Sequence, residues 1–193
     1  MRKKKGIGIF IVFALIIAVG CTVYLNRKNI VRKMYPITYS EIIVENAKKY
    51  NLDPYLVFAV IKTESAFDKE AKSSQNAIGL MQITGPTAKW IAEKNNVSNF
   101  KENDLYDPQT NIQMGCWYLN NLSEEFEGKL QLVLAAYNGG RGNVNKWLQD
   151  STYSDDGQNL KVIPYKETDE YVKKVEVNMK MYKDLYKDEL SLQ

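Results

Sequence analysis

Two stretches of the chain open in the same way, Asp53-Pro54 and Asp107-Pro108, and each leads into apolar residues at helical spacing. Aspartate accepts from the free amides at a helix start, and proline fits the first helical position, where no N–H is needed. After the first start, Leu56, Val57, Val60 and Ile61 share one face; after the second, Ile112, Cys116, Leu119 and Leu122 do. Glu64 lies three, four, seven and eight residues beyond Ile61, Val60, Val57 and Leu56, where the stripe calls for a core residue. Burying an unpaired charge is costly, so this spacing predicts a carboxyl with a raised pKa that stays partly protonated near neutrality. Such a group is suited to general acid chemistry.

The same periodicity predicts helices over 38–50, with Ile42, Ile43, Ala47 and Tyr50 inward, and over 84–94, carrying Ala88, Trp90 and Ile91. Further helices are expected over 130–137, stopped by Asn138-Gly139-Gly140, and over 144–148. Thr168 is read as the cap of a last long helix with Val172, Val175, Met179 and Tyr182 inward. Residues 95–106 and 151–160 read as polar loops. The run Ala77-Ile78-Gly79-Leu80-Met81-Gln82-Ile83 has a glycine inside an apolar segment, which suggests an unusual φ or a close backbone approach. The fold class expected is mainly α, with at most a small β-hairpin near this run.

The N-terminal part is different in kind. Residues 6–25 carry no charge over 20 positions, roughly 30 Å of helix, and basic residues flank them on both sides. They read as a transmembrane anchor in contact with a lipid bilayer, preceded by a basic tip at 1–5 and followed by a basic linker at 26–36. A cleaved signal after Ala18-Val19-Gly20 and an acylated Cys21 are the alternatives. Residues 37–187 remain for one domain with its own core, and 188–193 for a tail.

Charge and composition exclude several function classes. The overall charge is +3, but residues 1–33 contribute +8, so the body from Met34 onward carries 3 − 8 = −5. An acidic body offers no electrostatic footprint for nucleic acid. The chain has no histidine, which excludes Ser-His and Cys-His nucleophiles and imidazole zinc sites. Cys21 and Cys116 form no metal-ligand spacing, and Asp155-Asp156-Gly157 lacks the rest of a calcium loop. Neither a metal nor another cofactor is expected, and acid–base chemistry falls to carboxylates, Tyr or Lys.

Four segments then appear in order: Glu64-Ser65, Gly79-Leu80-Met81-Gln82, Ala136-Tyr137-Asn138-Gly139-Gly140, and Glu167-Thr168 followed by Tyr171. Together they resemble the signatures of the lytic transglycosylase family, over about residues 37–185. That family has a goose-type-lysozyme-like fold and cleaves the glycan strands of peptidoglycan. The resemblance implies that Glu64 is the single catalytic acid and that Ser73 hydrogen-bonds its carboxyl. It implies that Met81, Gln82, Tyr137, Asn138, Glu167 and Tyr171 line the substrate groove, Met81 as an apolar floor and Gln82 as donor and acceptor. It further implies non-hydrolytic cleavage between N-acetylmuramic acid and N-acetylglucosamine, leaving a 1,6-anhydro end. A goose-type muramidase that hydrolyses the same bond, and a catalytically silent glycan-binding protein, are the rival expectations. Peptidoglycan lies outside the cytoplasmic membrane, so the domain is expected on the extracytoplasmic side.

Overall fold

In a computed structural model the chain is described from residue 2 to residue 190; the side chains of 2–14, 23, 188 and 190 are outside the description. Residue 1 of the expected tip and residues 191–193 of the expected tail also lie outside the described residues. The chain divides into two compact units, 1–36 and 37–193.

The first unit is one helix, α1 (Arg2–Met34). The segment read as a linker over 26–36 is thus helical as far as Met34. The uncharged run 6–25 is helical throughout, with the side chains of 6–14 outside the described residues. Among the described residues no helix is long and apolar enough to cross a membrane, so the structure does not support the expected span.

The second unit is built around α3 (Pro54–Glu64), which follows α2 (Ser40–Lys49). Asp53 caps α3 as its sequence predicts, its carboxylate accepting from the Tyr55 amide at 2.9 Å. The stripe read on α3 understates its burial. Every residue from Tyr55 to Ile61 is buried, Phe58 and Ala59 included, so α3 is a central helix covered on all sides rather than a surface helix with one inner face.

After α3 the chain forms an antiparallel hairpin, β1 (Ala77–Ile78) and β2 (Ile83–Thr84), with Ala77 opposite Thr84 and Ile78 opposite Ile83. Helix α4 (Gly85–Lys94) follows directly, capped by Thr84. The loop expected over 95–106 holds a short 3₁₀ turn at Glu102–Tyr106. Next come α5 (Pro108–Glu125), α6 (Leu130–Gly139) and α7 (Arg141–Gln149), with Asp107 capping α5 through the Thr110 amide. The last helix, α8 (Lys166–Leu190), is kinked at Tyr186. It starts two residues before Thr168, so Thr168 is not its cap. Among the described residues the architecture is mainly helical with one two-stranded sheet.

The most extensive packing in the unit is between α3 and α8. Phe58 meets Tyr182 with ring centroids 5.3 Å apart. Asn178 donates to the Thr63 hydroxyl at 2.9 Å, Tyr55 donates to the Tyr186 carbonyl at 3.3 Å, and Lys183 pairs with Asp53 at 2.9 Å. Val172, Val175 and Tyr182 are buried as expected. Asn178 takes the buried place next to the partly covered Met179.

Candidate active site

Glu64 is the last residue of α3, and the chain turns away sharply behind it. Ala66 and Phe67 have φ of +51° and +70°, a region costly for residues with a Cβ. Ser65 fastens this corner: its hydroxyl donates to the Leu80 carbonyl at 2.8 Å, with the Ile61 carbonyl at 3.2 Å as a second acceptor. The end of the central helix is thereby tied to the loop between β1 and β2.

That loop is held from below by Asn111 of α5, which is fully buried. Its Nδ2 donates to the carbonyls of Ile78 at 2.9 Å and Leu105 at 2.8 Å, and its Oδ1 accepts from the Met81 amide at 2.8 Å. Gly79 sits directly against it at φ +77°. A Cβ there would lie 2.3 Å from Asn111 Nδ2 and 2.4 Å from the Leu105 carbonyl oxygen. The glycine in the apolar run therefore meets both demands, an unusual φ and a close approach.

The Glu64 carboxyl is raised from 4.5 to about 7. Burial is the largest cause, and the charge of Glu167 adds to it. The Tyr171 hydroxyl and the Lys174 ammonium act in the opposite direction. Glu64 as a whole is half-buried. Tyr171 is near enough to lower that pKa, yet its hydroxyl is buried and closes no hydrogen bond of ordinary length. Burial, then the charge of Glu64, pushes the phenols of Tyr137 and Tyr171 well above their usual range. A carboxyl that is un-ionised about half the time near pH 7 can donate a proton and, once ionised, take one back.

The other predicted site residues divide into two groups. Tyr137, Asn138, Glu167 and Tyr171 gather around the ends of α6 and α8. Tyr137 donates to the Met81 carbonyl at 2.8 Å, and Asn138 accepts from Thr168 at 2.8 Å, which joins the end of α6 to the start of α8. Glu167 is exposed one turn before the buried Tyr171.

The remaining three are placed differently from expectation. Met81 is fully buried and packs over Gly115 of α5, so its side chain belongs to the core rather than to a groove floor. Gln82, at φ +48°, uses its amide hydrogens on the carbonyls of Ala71 at 3.1 Å and Gly79 at 3.0 Å. It offers a ligand only its carbonyl end, not the donor-acceptor pair expected. Ser73 accepts from the amides of Gln75 at 3.2 Å and Ala77 at 3.1 Å. Its hydroxyl thus orders the turn into β1, and among the described hydrogen bonds none joins it to Glu64.

A surface cleft of about 270 Å³ runs beside these groups, lined by Gln82, Thr84, Thr87, Tyr118, Tyr137 and Asn138 among others. Asn111 and Tyr118 are the contributors that sequence reasoning missed, and Thr168, read there as a helix cap, instead joins α8 to Asn138. For Asn111 a signal existed: it shares a helix face with Met114, Gly115 and Tyr118 at spacings of three, four and seven residues. An amide on such a face asks for buried partners.

Residues 41–160 match the family described as Transglycosylase SLT domain. A putative soluble lytic murein transglycosylase of Haemophilus influenzae is 35% identical over 132 residues, 68% of this chain and 22% of that protein. A membrane-bound lytic murein transglycosylase C of Edwardsiella ictaluri is 32% identical over 134 residues, 65% of this chain and 36% of its own length. The crystal structure of an inactive glutamate-to-glutamine mutant of the lytic transglycosylase Slt from Pseudomonas aeruginosa superposes with a TM-score of 0.69 at 32% identity, covering 78% of this chain and 24% of that one. The chain thus spans about a quarter to a third of the length of these relatives.

Proposed function

This chain belongs to the lytic transglycosylases of the Transglycosylase SLT domain family, and from that premise we propose that it cleaves peptidoglycan glycan strands with Glu64 as acid and then base. The observation that carries the reading is the Glu64 carboxyl at the end of the central helix, desolvated beside the buried Tyr171 hydroxyl and raised to about 7. The inactive glutamate-to-glutamine mutant of the Pseudomonas relative supports giving a glutamate this role.

Protonated Glu64 gives its proton to the glycosidic oxygen between N-acetylmuramic acid and N-acetylglucosamine as the bond from C1 to that oxygen breaks. The neighbouring acetamido oxygen stabilises the positive charge developing at C1. The Glu64 carboxylate then takes the proton of the same sugar's 6-hydroxyl, whose oxygen closes on C1 to form a 1,6-anhydro ring. No water is consumed, and the enzyme ends with its proton restored. Tyr137, Asn138, Gln82, Glu167 and Tyr171 shape the cleft in this reading, with the Tyr171 hydroxyl free to bond the substrate or the carboxylate as charge moves.

Digestion of isolated cell-wall sacculi with the full chain, read by mass spectrometry, tests the proposal. Anhydro-muramic ends are expected, and they disappear with Glu64→Gln. Reducing muramic ends without anhydro ends would establish a muramidase instead, and unchanged release by Glu64→Gln would remove Glu64 from the chemistry.

Residues 6–25 serve as a membrane anchor in the same proposal, with the catalytic unit on the outer side. Support comes from the uncharged run between basic flanks, and from Leu15, Ile16, Ile17 and Val19, each more than half exposed on α1. Retention of the chain in membranes through an alkaline carbonate wash is expected. Release by that wash would overturn the anchor.

A further inference from the structure

Glu64 spends part of the proposed reaction as a carboxylate, between giving its proton to the glycosidic oxygen and taking one from the 6-hydroxyl. Its surroundings are poor for that charge. Burial disfavours it, and the Glu167 carboxylate opposes it. Tyr137 approaches from α6, with Tyr118 and Cys116 of α5 behind it, and burial keeps all three un-ionised. Lys62 is on the same helix as Glu64, but two residues earlier and so about 200° away around the axis. The remaining neighbour is α8.

On α8, Glu167, Tyr171, Lys174 and Asn178 recur at spacings of four, three and four, which puts them on one stripe about 60° wide. Contacts fix this stripe on both sides of Lys174. Asn178 is buried and donates to the hydroxyl of Thr63, the residue before Glu64, at 2.9 Å. Tyr171 is buried with its hydroxyl beside the Glu64 carboxyl. The two helices run antiparallel, since Lys183 pairs with Asp53 at the start of α3 while Asn178 meets Thr63 near its end. Lys174 thus occupies the turn of α8 that α3 reaches as it ends. Helical side chains lean toward the N-terminus of their helix, so the lysine stem extends from the level of Asn178 toward Tyr171. Lys174 is exposed, at the open edge of the site. Lys166, Lys173, Lys180 and Lys183 of the same helix each pair with a carboxylate, whereas among the described residues Lys174 forms no ion pair.

We propose that Lys174 is a positioning residue for the reaction, its ammonium serving as counter-ion to the Glu64 carboxylate between the two proton transfers and itself giving and taking no proton. This rests on the acid-then-base reading of Glu64 above. Glu167 and Lys174, seven residues apart on one stripe, then act against each other across Tyr171. The acid favours the protonated Glu64 of the resting enzyme, and the lysine favours the ionised one. The opposite directions in which the two move the Glu64 carboxyl agree with this placement.

Two measurements on the full chain test this, one of them without turnover. The stability gained from Glu64→Gln is followed against pH by urea unfolding. It grows from about pH 4.5 and levels off at the folded pKa of the carboxyl, about 7 in the wild type. In a Lys174→Gln background that levelling-off is expected about half a pH unit higher, the size of a solvent-facing charge pair. Lys174→Arg is expected to keep the wild-type value. So is Lys173→Gln, which removes the same charge from the far side of the helix, where Lys173 pairs with Asp169. In the release of ends from sacculi, kcat/KM of Lys174→Gln should persist to correspondingly higher pH. Its kcat at pH 5 should fall about twofold, because the carboxylate formed on proton donation is less stabilised. A levelling-off unmoved by Lys174→Gln, or moved as far by Lys173→Gln, would overturn the counter-ion, and so would an unchanged kcat at pH 5. Failure of the cleavage reading would appear separately, as sacculi that gain no anhydro ends with the wild-type chain while the shift in the urea experiment persists.

Discussion

Replacing Glu64 by glutamine should abolish turnover and at the same time stabilise the protein, by an amount that depends on pH. In the folded chain burial raises this carboxyl to about 7 from its ordinary 4.5. Each tenfold change in proton affinity is worth about 1.4 kcal/mol, so the ionised form costs the fold about 3 kcal/mol, and remaining solvent contact trims this to about 2–3 kcal/mol. The sign follows from the folded pKa lying above the unfolded one. Wild-type stability is complete below about pH 4.5 and is lost as the pH rises through about 7. Glutamine keeps the shape and carries no charge, so it escapes that loss. Urea unfolding of the full chain in mild detergent, followed by tryptophan fluorescence, measures the difference, because Trp90, Trp117 and Trp147 all lie in the second unit. The two proteins should be equally stable at pH 4, and the variant should gain about 2–3 kcal/mol at pH 8, roughly 5–10 °C in Tm. A variant no more stable than wild type at pH 8 would refute the claim that burial holds this carboxyl un-ionised.

Four further outcomes follow from the same geometry. The kcat/KM of the wild type should fall about tenfold per pH unit above about 7, since the proton donor is lost there. In Tyr171→Phe that descent should move to higher pH, because the Tyr171 hydroxyl lowers the carboxyl's pKa; a shift downward would contradict the placement of the two groups. Gly79→Ala should cost about 2–4 kcal/mol in urea unfolding, since a Cβ meets Asn111 and the Leu105 carbonyl at a φ of +77°. Asn111→Leu should cost about 3 kcal/mol by leaving the Met81 amide and the carbonyls of Ile78 and Leu105 without their buried partner, read by the same assay.

What could be read in advance was whatever follows from local periodicity. Asp53-Pro54 and Asp107-Pro108 start helices because capping is a property of neighbouring residues. Glu64 was legible as a perturbed acid from its place on the apolar stripe of its own helix, whereas Tyr171, Lys174 and Glu167, which tune it, come from α8. For Met81, Gln82 and Ser73 the expected roles depend on which atoms face the cleft, and a motif states only which residues occur together. Gln82 spends its donors on Ala71 and Gly79 only because of its φ of +48°, and no spacing encodes a left-handed residue. Trp90 was counted with Ala88 and Ile91 on its helix, yet it is half exposed beside Arg141, from a helix that begins more than fifty residues later. Such contacts are set by the tertiary fold alone.

Keeping a carboxyl un-ionised in a folded protein takes a setting that cannot relax around it, and the sequence devotes several features to that end. A looser corner would let Glu64 swing into water and return to its ordinary pKa. Three devices oppose this. The helix behind it is buried on every side from Tyr55 to Ile61, so α3 has no exposed face toward which to shift. Helix α8 pins it along its length, through Lys183 to Asp53, Tyr55 to Tyr186 and Asn178 to Thr63, the last contact being next to Glu64 itself. Beyond Glu64, Ala66 and Phe67 accept a strained backbone worth about 1–3 kcal/mol each so that the chain leaves at once, and Ser65 locks the corner to Leu80. Strain of that size persists only where surrounding contacts over-determine it. Thr63, Ser65 and Asn178 hold the end of α3 in place, so Asn178→Ala should lower the Glu64 pKa toward 4.5, read as a smaller stability gain from Glu64→Gln at pH 8 than in the wild-type background.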